Sequence, residues 1–274
     1  MTSDCTSSTP DSASGAQDST VSVLRDVLRV YDHRFLSLDR LQRERLVDGT
    51  RHFIGEEGLG DAVRAALPAS IRLRAFCIQH GLYEELERLI RDEAEGGPGG
   101  AVVVGGRIYA LYPYLRGVPR QDADITTEVG VDHRLDSVGW HSKKIRIRGR
   151  AALQRVETNR TVVDVILRER TSGKEQGFHA DPRQDGGFEV VADPAVVEPG
   201  RWDVHVAATA LGVTREARFG SVRAEGVRTS PQARATGSRA VTVYFTKGGH
   251  LALVVNEAPG DTSLIARLRR RIGR

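Results

Sequence analysis

Residues Arg201–Ala207 read Arg-Trp-Asp-Val-His-Val-Ala, and this stretch decides the class of fold. Trp202, Val204 and Val206 share one face of an extended strand, and the polar residues between them share the other. A strand with one apolar and one polar face covers a core on a single side, as strands of antiparallel sheets do. The stretch therefore predicts a strand of an antiparallel sheet.

Further stretches of the chain have the same short, β-branched and mostly alternating character. They are Lys143–Arg148, Thr161–Arg168, Phe188–Val191, Val241–Thr246 and Leu251–Val255. Turn residues separate them, and Gly248-Gly249 between the last two predicts a hairpin. Because no helix-length segment lies between these strands, we predict an immunoglobulin-like sandwich rather than a parallel sheet. Its topology stays open, since this region has no cysteine pair.

The sequence upstream of these strands has the periodicity of helices. Leu24, Val27, Leu28 and Tyr31 recur at the spacing of one helix face, and comparable patterns continue to Ile90. A glycine-rich run over 96–100 ends this pattern. After it, Gly105-Gly106 separates two short apolar runs and predicts a two-residue hairpin turn.

The predicted fold class is therefore α+β with two domains. Half of the first twenty residues are Ser or Thr, so we expect the amino-terminal segment to be disordered. The predicted segments are a disordered tail over 1–19, a helical linker-like domain over 20–95, a Gly/Pro linker over 96–100, a β hairpin plus sandwich over 101–256, and a basic amphipathic helix over 257–274.

The charge of the chain is concentrated at its carboxyl terminus. The sequence has 40 basic and 36 acidic residues, a net charge of +4. Five arginines lie within the last eight positions, namely Arg267, Arg269, Arg270, Arg271 and Arg274. The remaining chain is close to neutral, which argues against a broad nucleic-acid-binding face, so no nucleic-acid partner is predicted.

The basic tail has two interpretations that the sequence leaves open. Leu264, Ile265, Leu268 and Ile272 have helical spacing among the arginines, so a short amphipathic helix would bind an anionic membrane surface. The other interpretation is a solvated terminal helix packed on the body.

No apolar run reaches the length of a spanning helix and no signal peptide is evident, so we expect a cytoplasmic protein, peripheral on the inner membrane face if the tail binds lipid.

Asp122-Ala123-Asp124 is the sequence most suggestive of catalysis. Carboxylates two residues apart hold a divalent cation against a nucleotide-sugar diphosphate in many glycosyltransferases. Here the element follows a loop rather than a βαβ unit, so we predict solvated loop acids and keep a metal site at Asp122, Asp124 and Glu128 as the alternative.

The other residue patterns do not indicate a cofactor or a catalytic residue. The eight histidines have no metal-ligand spacing, and the phosphate-binding loop and nucleophile-elbow motifs do not occur. Trp140 and Trp202 are the two tryptophans, and either would stack on a sugar ring if exposed. The alternation of Trp202 with Val204 favours a buried position for that side chain.

The order of these parts resembles the carboxyl-terminal half of bacterial family-2 glycosyltransferases of the TarS/TarP type. Leu67–Ala75 and Gly81–Leu86 are similar to the helical linker of that family. Gly106–Pro113 and the Trp202 strand leading to Leu211–Gly220 are similar to its β-sandwich region. Enzymes of this family decorate wall teichoic acid or related anionic polymers.

The resemblance implies an accessory role in glycosylation of surface polymers. It extends over roughly residues 20–256 and leaves no room before residue 20 for the α/β catalytic domain, so no catalytic residue is carried over. The implied partners are a glycosyltransferase catalytic domain or subunit, a glycopolymer and a second copy of the chain. Two alternatives stay open: a metal-dependent glycosyltransferase with a cryptic site near Asp122 and Asp124, and a membrane-surface module.

Overall fold

A computed structural model of the chain describes residues 12–96 and 100–257. It divides after Glu128 into two compact units, a helical unit and a β unit. The predicted α+β fold class, with helices followed by antiparallel sheets, is confirmed.

The helical unit contains six α-helices and one β-hairpin among its described residues. They are α1 (Ser12–Arg29), α2 (Arg40–Ile54), α3 (Asp61–Ala66), α4 (Ala69–His80), α5 (Tyr83–Ala94), β1 (Gly100–Val104), β2 (Arg107–Leu111) and α6 (Arg120–Ala123). Helix α4 is the centre, because it contacts α1, α2, α5 and α6. Leu73 and Ile78 of α4 are fully buried as a result.

Helix α1 begins earlier than the sequence predicts. The predicted disordered tail covered 1–19, whereas the structure places Ser12–Ser19 in α1. Once the apolar face further along the helix is packed, each added helical residue costs little, and Ala13, Ala16 and Gln17 are good helix formers. Residues 1–11 of the predicted tail lie outside the described residues.

The hairpin of β1 and β2 belongs to the helical unit. Gly105 and Gly106 have φ angles of 59° and 75°, the left-handed values that a tight two-residue turn requires, which confirms the predicted turn. Ile125 N donates to Ile108 O at 2.9 Å, and Tyr109 forms a bridge with Asp124. These contacts hold β2 against the segment after α6, so the compact unit ends at Glu128 rather than at the predicted 96–100 linker.

The β unit consists of antiparallel strands in two sheets. Its strands are β3 (Val131–His141), β4 (Lys144–Leu153), β5 (Val162–Glu169), β6 (Glu175–His179), β7 (Asp181–Pro182), β8 (Phe188–Ala192), β9 (Gly200–Ala210), β10 (Val213–Arg218), β11 (Gln232–Thr236), β12 (Arg239–Phe245) and β13 (Leu251–Glu257). One sheet has the order β11-β12-β13-β9-β5-β6, with β10 also paired to β9, and the other has the order β3-β4-β8-β7.

Five of these strands were not predicted from the sequence: β3, β6, β7, β10 and β11. The longest of them, β3, shows why. Its register against β4 shifts between Leu135 and Ser137, and this bulge interrupts the alternation of apolar and polar residues. A two-residue period therefore does not run through the whole strand, and periodicity alone misses it.

The core of the β unit lies where β4 faces β9. Phe219 is fully buried there, with ring centroids 5.8 Å from Phe188 and 5.6 Å from His133. Gly149 on β4 allows this approach, because a Cβ at that position would lie 2.7 Å from Phe219 Cζ and 2.5 Å from Arg134 O. The absence of a side chain at Gly149 is thus a condition of the packing.

We expect the substitution Gly149→Ala to lower the free energy of unfolding by about 1–3 kcal/mol, because the added methyl group overpacks the core against backbone. Urea unfolding of the full chain, followed by tryptophan fluorescence, measures this loss. Gly177→Ala is the matched control, since a Cβ there meets no atom within 4 Å. Equal stability of the two variants would contradict the packing described for Phe219.

Candidate functional site

Asp122, Asp124 and Glu128, the residues of the alternative metal site, all contact Arg72 of α4. All three lie in the helical unit, where α6 and the residues after it pack beside α3 and α4. Their contacts, however, are with arginines and with backbone amides. These contacts decide whether the three residues, here called the acidic cluster, bind a metal ion or stabilise the fold.

Asp122 is a buried carboxylate held by Arg64. The Asp122 side chain is 6% exposed, and Arg64 Nε donates to its Oδ1 at 2.7 Å. Burial raises the pKa of Asp122, and the nearby charges of Arg64 and Arg72 oppose that rise. The carboxylate is thus an internal ion-pair partner, and the prediction of a solvated loop acid was wrong for Asp122.

Asp124 uses both of its carboxylate oxygens within the helical unit. Its Oδ1 accepts a hydrogen bond from Thr126 N at 2.9 Å, and its Oδ2 accepts one from Arg107 Nη1 at 2.7 Å. Burial works to raise the pKa of Asp124, but the hydrogen bonds from Thr126 and Arg107 outweigh it and lower that pKa. The side chain therefore stays ionised and bound.

Arg72 connects these residues to α4 through backbone carbonyls. It is 7% exposed, and it donates to the carbonyl oxygens of Asp122, at 3.3 Å, and of Asp124. Glu128 Oε1 lies 3.6 Å from Arg72 Nη2 and accepts a hydrogen bond from Ala69 N at 2.8 Å. The carboxylate of Glu128 thus lies at the amino terminus of α4, where the helix dipole favours negative charge.

These contacts favour a structural role for the acidic cluster. Each of the three carboxylates accepts at least one hydrogen bond from an arginine side chain or a backbone amide of the helical unit. Within residues 12–96 and 100–257, no group of three His, Cys, Asp or Glu side chains is placed to hold a metal ion. The alternative metal-dependent transferase therefore has no ligand set among the described residues.

Trp202 is a core residue, as its alternation with Val204 predicts, and its buried ring is not available to stack on a sugar. It is 2% exposed, and its indole Nε1 donates to Glu198 O at 3.0 Å. The alternation along β9 turns the ring inward, and the hydrogen bond satisfies its single polar atom.

Trp140 is half-buried on β3. Its Nε1 donates to Gln232 O at 3.2 Å, and the Arg234 guanidinium lies 5.9 Å from the ring centroid. Because the ring is partly accessible, sugar stacking at Trp140 stays a prediction.

The basic tail and membrane binding are not tested by the structure. Arg267, Arg269, Arg270, Arg271 and Arg274, with the predicted terminal helix, lie outside the described residues. Among the residues that are described, no helix has the length and apolar character needed to cross a bilayer.

Sequence reasoning missed a row of cations on β4. Alternation along this strand buries Ile145, Ile147 and Gly149 and turns the intervening residues outward. The residues that make up this β4 cation row are Lys144, Arg146, Arg148 and Arg150. The signal was present in the sequence, since Lys-Ile-Arg-Ile-Arg-Gly-Arg alternates basic and apolar residues, but only its apolar half was used to predict a strand.

The acidic residues near the β4 cation row neutralise it only in part. Arg148 forms an ion pair with Glu189 on the neighbouring strand, and Arg150 lies close enough to Asp185 to help lower the pKa of that carboxyl. Lys144 and Arg146 have no ion pair within 4 Å among the described residues. The outer face of the four-stranded sheet therefore carries uncompensated positive charge.

Comparison with known families gives this architecture a context. Residues 21–90 match the model of the glycosyl transferase TarS linker domain, and residues 124–255 match that of the TarS beta-glycosyltransferase C-terminal domain 1. The chain belongs to the TarS type of C-terminal region. The two matches follow each other in the same order as the helical and β units, and together they span more than two thirds of the chain.

One solved structure agrees with the TarS-type fold. The crystal structure of S. aureus TarS 217–571 superposes with a TM-score of 0.53 at 13% identity, covering 86% of this chain and 69% of that one. The structure of S. aureus TarS gives a TM-score of 0.45 at 14% identity and is covered over 41% of its length, against 83% of this chain. The chain thus spans about two fifths of that TarS chain. No curated protein matches the sequence.

We expect Asp122→Ala to destabilise the TarS-type helical unit by about 3 kcal/mol, because it leaves the charge of Arg64 without its buried partner. Asp61→Ala is the matched control, since Asp61 pairs with the same arginine at 2.9 Å but is 94% exposed. Urea unfolding followed by far-UV circular dichroism compares the two.

The experiment also separates the structural role of Asp122 from metal binding. A structural ion pair predicts a loss for Asp122→Ala that is unaffected by Mn²⁺, and a much smaller loss for Asp61→Ala. Stabilisation of the wild-type chain by Mn²⁺, abolished in Asp122→Ala, would contradict the structural role.

Proposed function

We propose that this chain is the accessory region of a wall teichoic acid β-glycosyltransferase and retains the anionic polymer for a catalytic domain. The observation that carries the proposal is the occurrence of a TarS linker and a TarS C-terminal domain 1 in order in one chain. Uncompensated positive charge on the β unit supports an anionic ligand, because charge complementarity favours encounter and retention.

Retention has a physical advantage for an enzyme that modifies a long polymer repeatedly. A weak contact on the accessory region keeps further repeats of the bound polymer near a linked catalytic site. The next encounter is then intramolecular, with an effective concentration set by the connection between the parts. The proposed partners are therefore the catalytic domain, linked or separate, and the glycopolymer itself.

The proposal is tested by comparing a TarS-type catalytic domain with and without this chain fused to it. We expect the accessory region to lower KM for long polymer acceptors several-fold and to leave kcat on a short acceptor fragment unchanged. The reason is that only a long acceptor reaches both parts at once. Sugar transfer to size-fractionated wall teichoic acid measures both parameters. An unchanged KM across acceptor lengths would contradict retention.

Self-association is a second proposed role, and one feature of the helical unit favours it. Val102, Val104 and Leu111 of the hairpin are 43%, 48% and 51% exposed. The register places Leu111 and Val102 on the same face, opposite the buried Ile108 and Ala110. Aliphatic side chains clustered on an exposed sheet face are typical of surfaces that another protein covers.

We expect light scattering coupled to size-exclusion chromatography to detect an oligomer that the double variant Val102→Ser with Val104→Ser reduces to a monomer. Loss of the apolar face removes the area that would be buried between copies. Val162→Ser is the control, because Val162 is 48% exposed but lies on the β unit. A wild-type chain that is monomeric at all concentrations would rule out this role.

A further inference from the structure

The β4 cation row has a regular spacing that follows from strand geometry. Successive outward residues of an antiparallel strand are about 6.8 Å apart, so Lys144 and Arg150 are separated by about 20 Å. Four basic side chains on one face of a single strand therefore form a line rather than a broad patch. A line of charge fits a linear polyanion better than a compact one.

The neighbouring strands leave this line accessible. On the β3 side, Gly139 lies opposite Arg146, and Ser137 lies opposite Arg148. On the β8 side, Val191 lies opposite Arg146 and is 40% exposed. These small or apolar neighbours do not compete for the Arg146 guanidinium group, whereas Arg148 has Glu189 of β8 opposite it and forms an ion pair with it.

We propose that a linear phosphodiester polymer of polyol repeats lies along β4, with its phosphates against successive cations of the row. This inference rests on the proposed function and names the surface and the ligand chemistry through which it acts. A polyol phosphate carries one negative charge per short repeat, so a single extended chain presents its charges in one line. Arginine is suited to such a ligand, because its planar guanidinium group donates two hydrogen bonds to one phosphate.

The same geometry argues against a nucleic acid as the occupant. Duplex recognition uses cations spread over two backbones, and single-strand binding adds aromatic side chains on which bases stack. The outward positions of β4 supply one line of cations and no aromatic side chain. The row therefore favours a polymer whose repeats have charge and hydroxyl groups but no bases.

The test measures binding of poly(glycerol phosphate) to the full chain by isothermal titration calorimetry at several salt concentrations. We expect Arg146→Gln with Arg150→Gln to weaken binding about tenfold and to reduce the slope of log K against log salt by about 1–2, because two phosphate contacts are lost. Arg201→Gln with Lys247→Gln is the matched control, since it removes the same charge at exposed positions away from β4.

Each outcome of this experiment has a defined meaning. A loss confined to the β4 variant supports the row as the binding surface, and equal losses in both double variants overturn it, even if the wild-type chain retains the polymer. Absence of wild-type binding to the polymer overturns the row and the proposed retention together. Tighter wild-type binding to single-stranded DNA than to poly(glycerol phosphate) overturns the ligand class. Neutral dextran and hyaluronan, whose carboxylates are more widely spaced, are expected to bind weakly.

Discussion

The two-residue period of an extended strand links the interior of the β unit to its surface. On β4 the period places Ile145 and Ile147 in the core, and it thereby places Arg146 and Arg148 on the outer face. A shift of register by one residue would bury the cations and expose the isoleucines, at a large cost in free energy. The hydrophobic core therefore fixes where the positive charge is displayed.

Arginine has a different role in the helical unit. Arg64 and Arg72 are directed inward, where they bind a carboxylate and backbone carbonyls of the segment around α6. The segment has little regular structure of its own, and these hydrogen bonds supply partners for its buried polar groups. Arginine is about equally frequent in the two units. In the helical unit Arg64 and Arg72 stabilise the fold, whereas in the β unit the β4 cation row presents charge to solvent.

The sequence predicts the order of helices and strands well, and it predicts the chemistry of side chains less well. Periodicity and the turn glycines Gly105 and Gly106 identify the hairpin and most of the long strands, because these signals are local. The bulge in β3 and the pairing of Asp122 with Arg64 depend on residues far apart in the chain. Local patterns contain no information on such partners, so the sequence predicts solvated loop acids at Asp122 and Asp124, whereas the structure pairs them with Arg64 and Arg107.

Gly149 has a consequence beyond core packing, since it lies between Arg148 and Arg150. The close approach of Phe219 to this residue holds β4 from behind. The backbone that carries the cations is thus preorganised, and its entropy changes little when a ligand arrives. If the proposed polymer binds along β4, the ordering cost of binding falls on the arginine side chains and on the polymer, so a mutation that loosens the core beneath β4 would weaken affinity without altering a single charge.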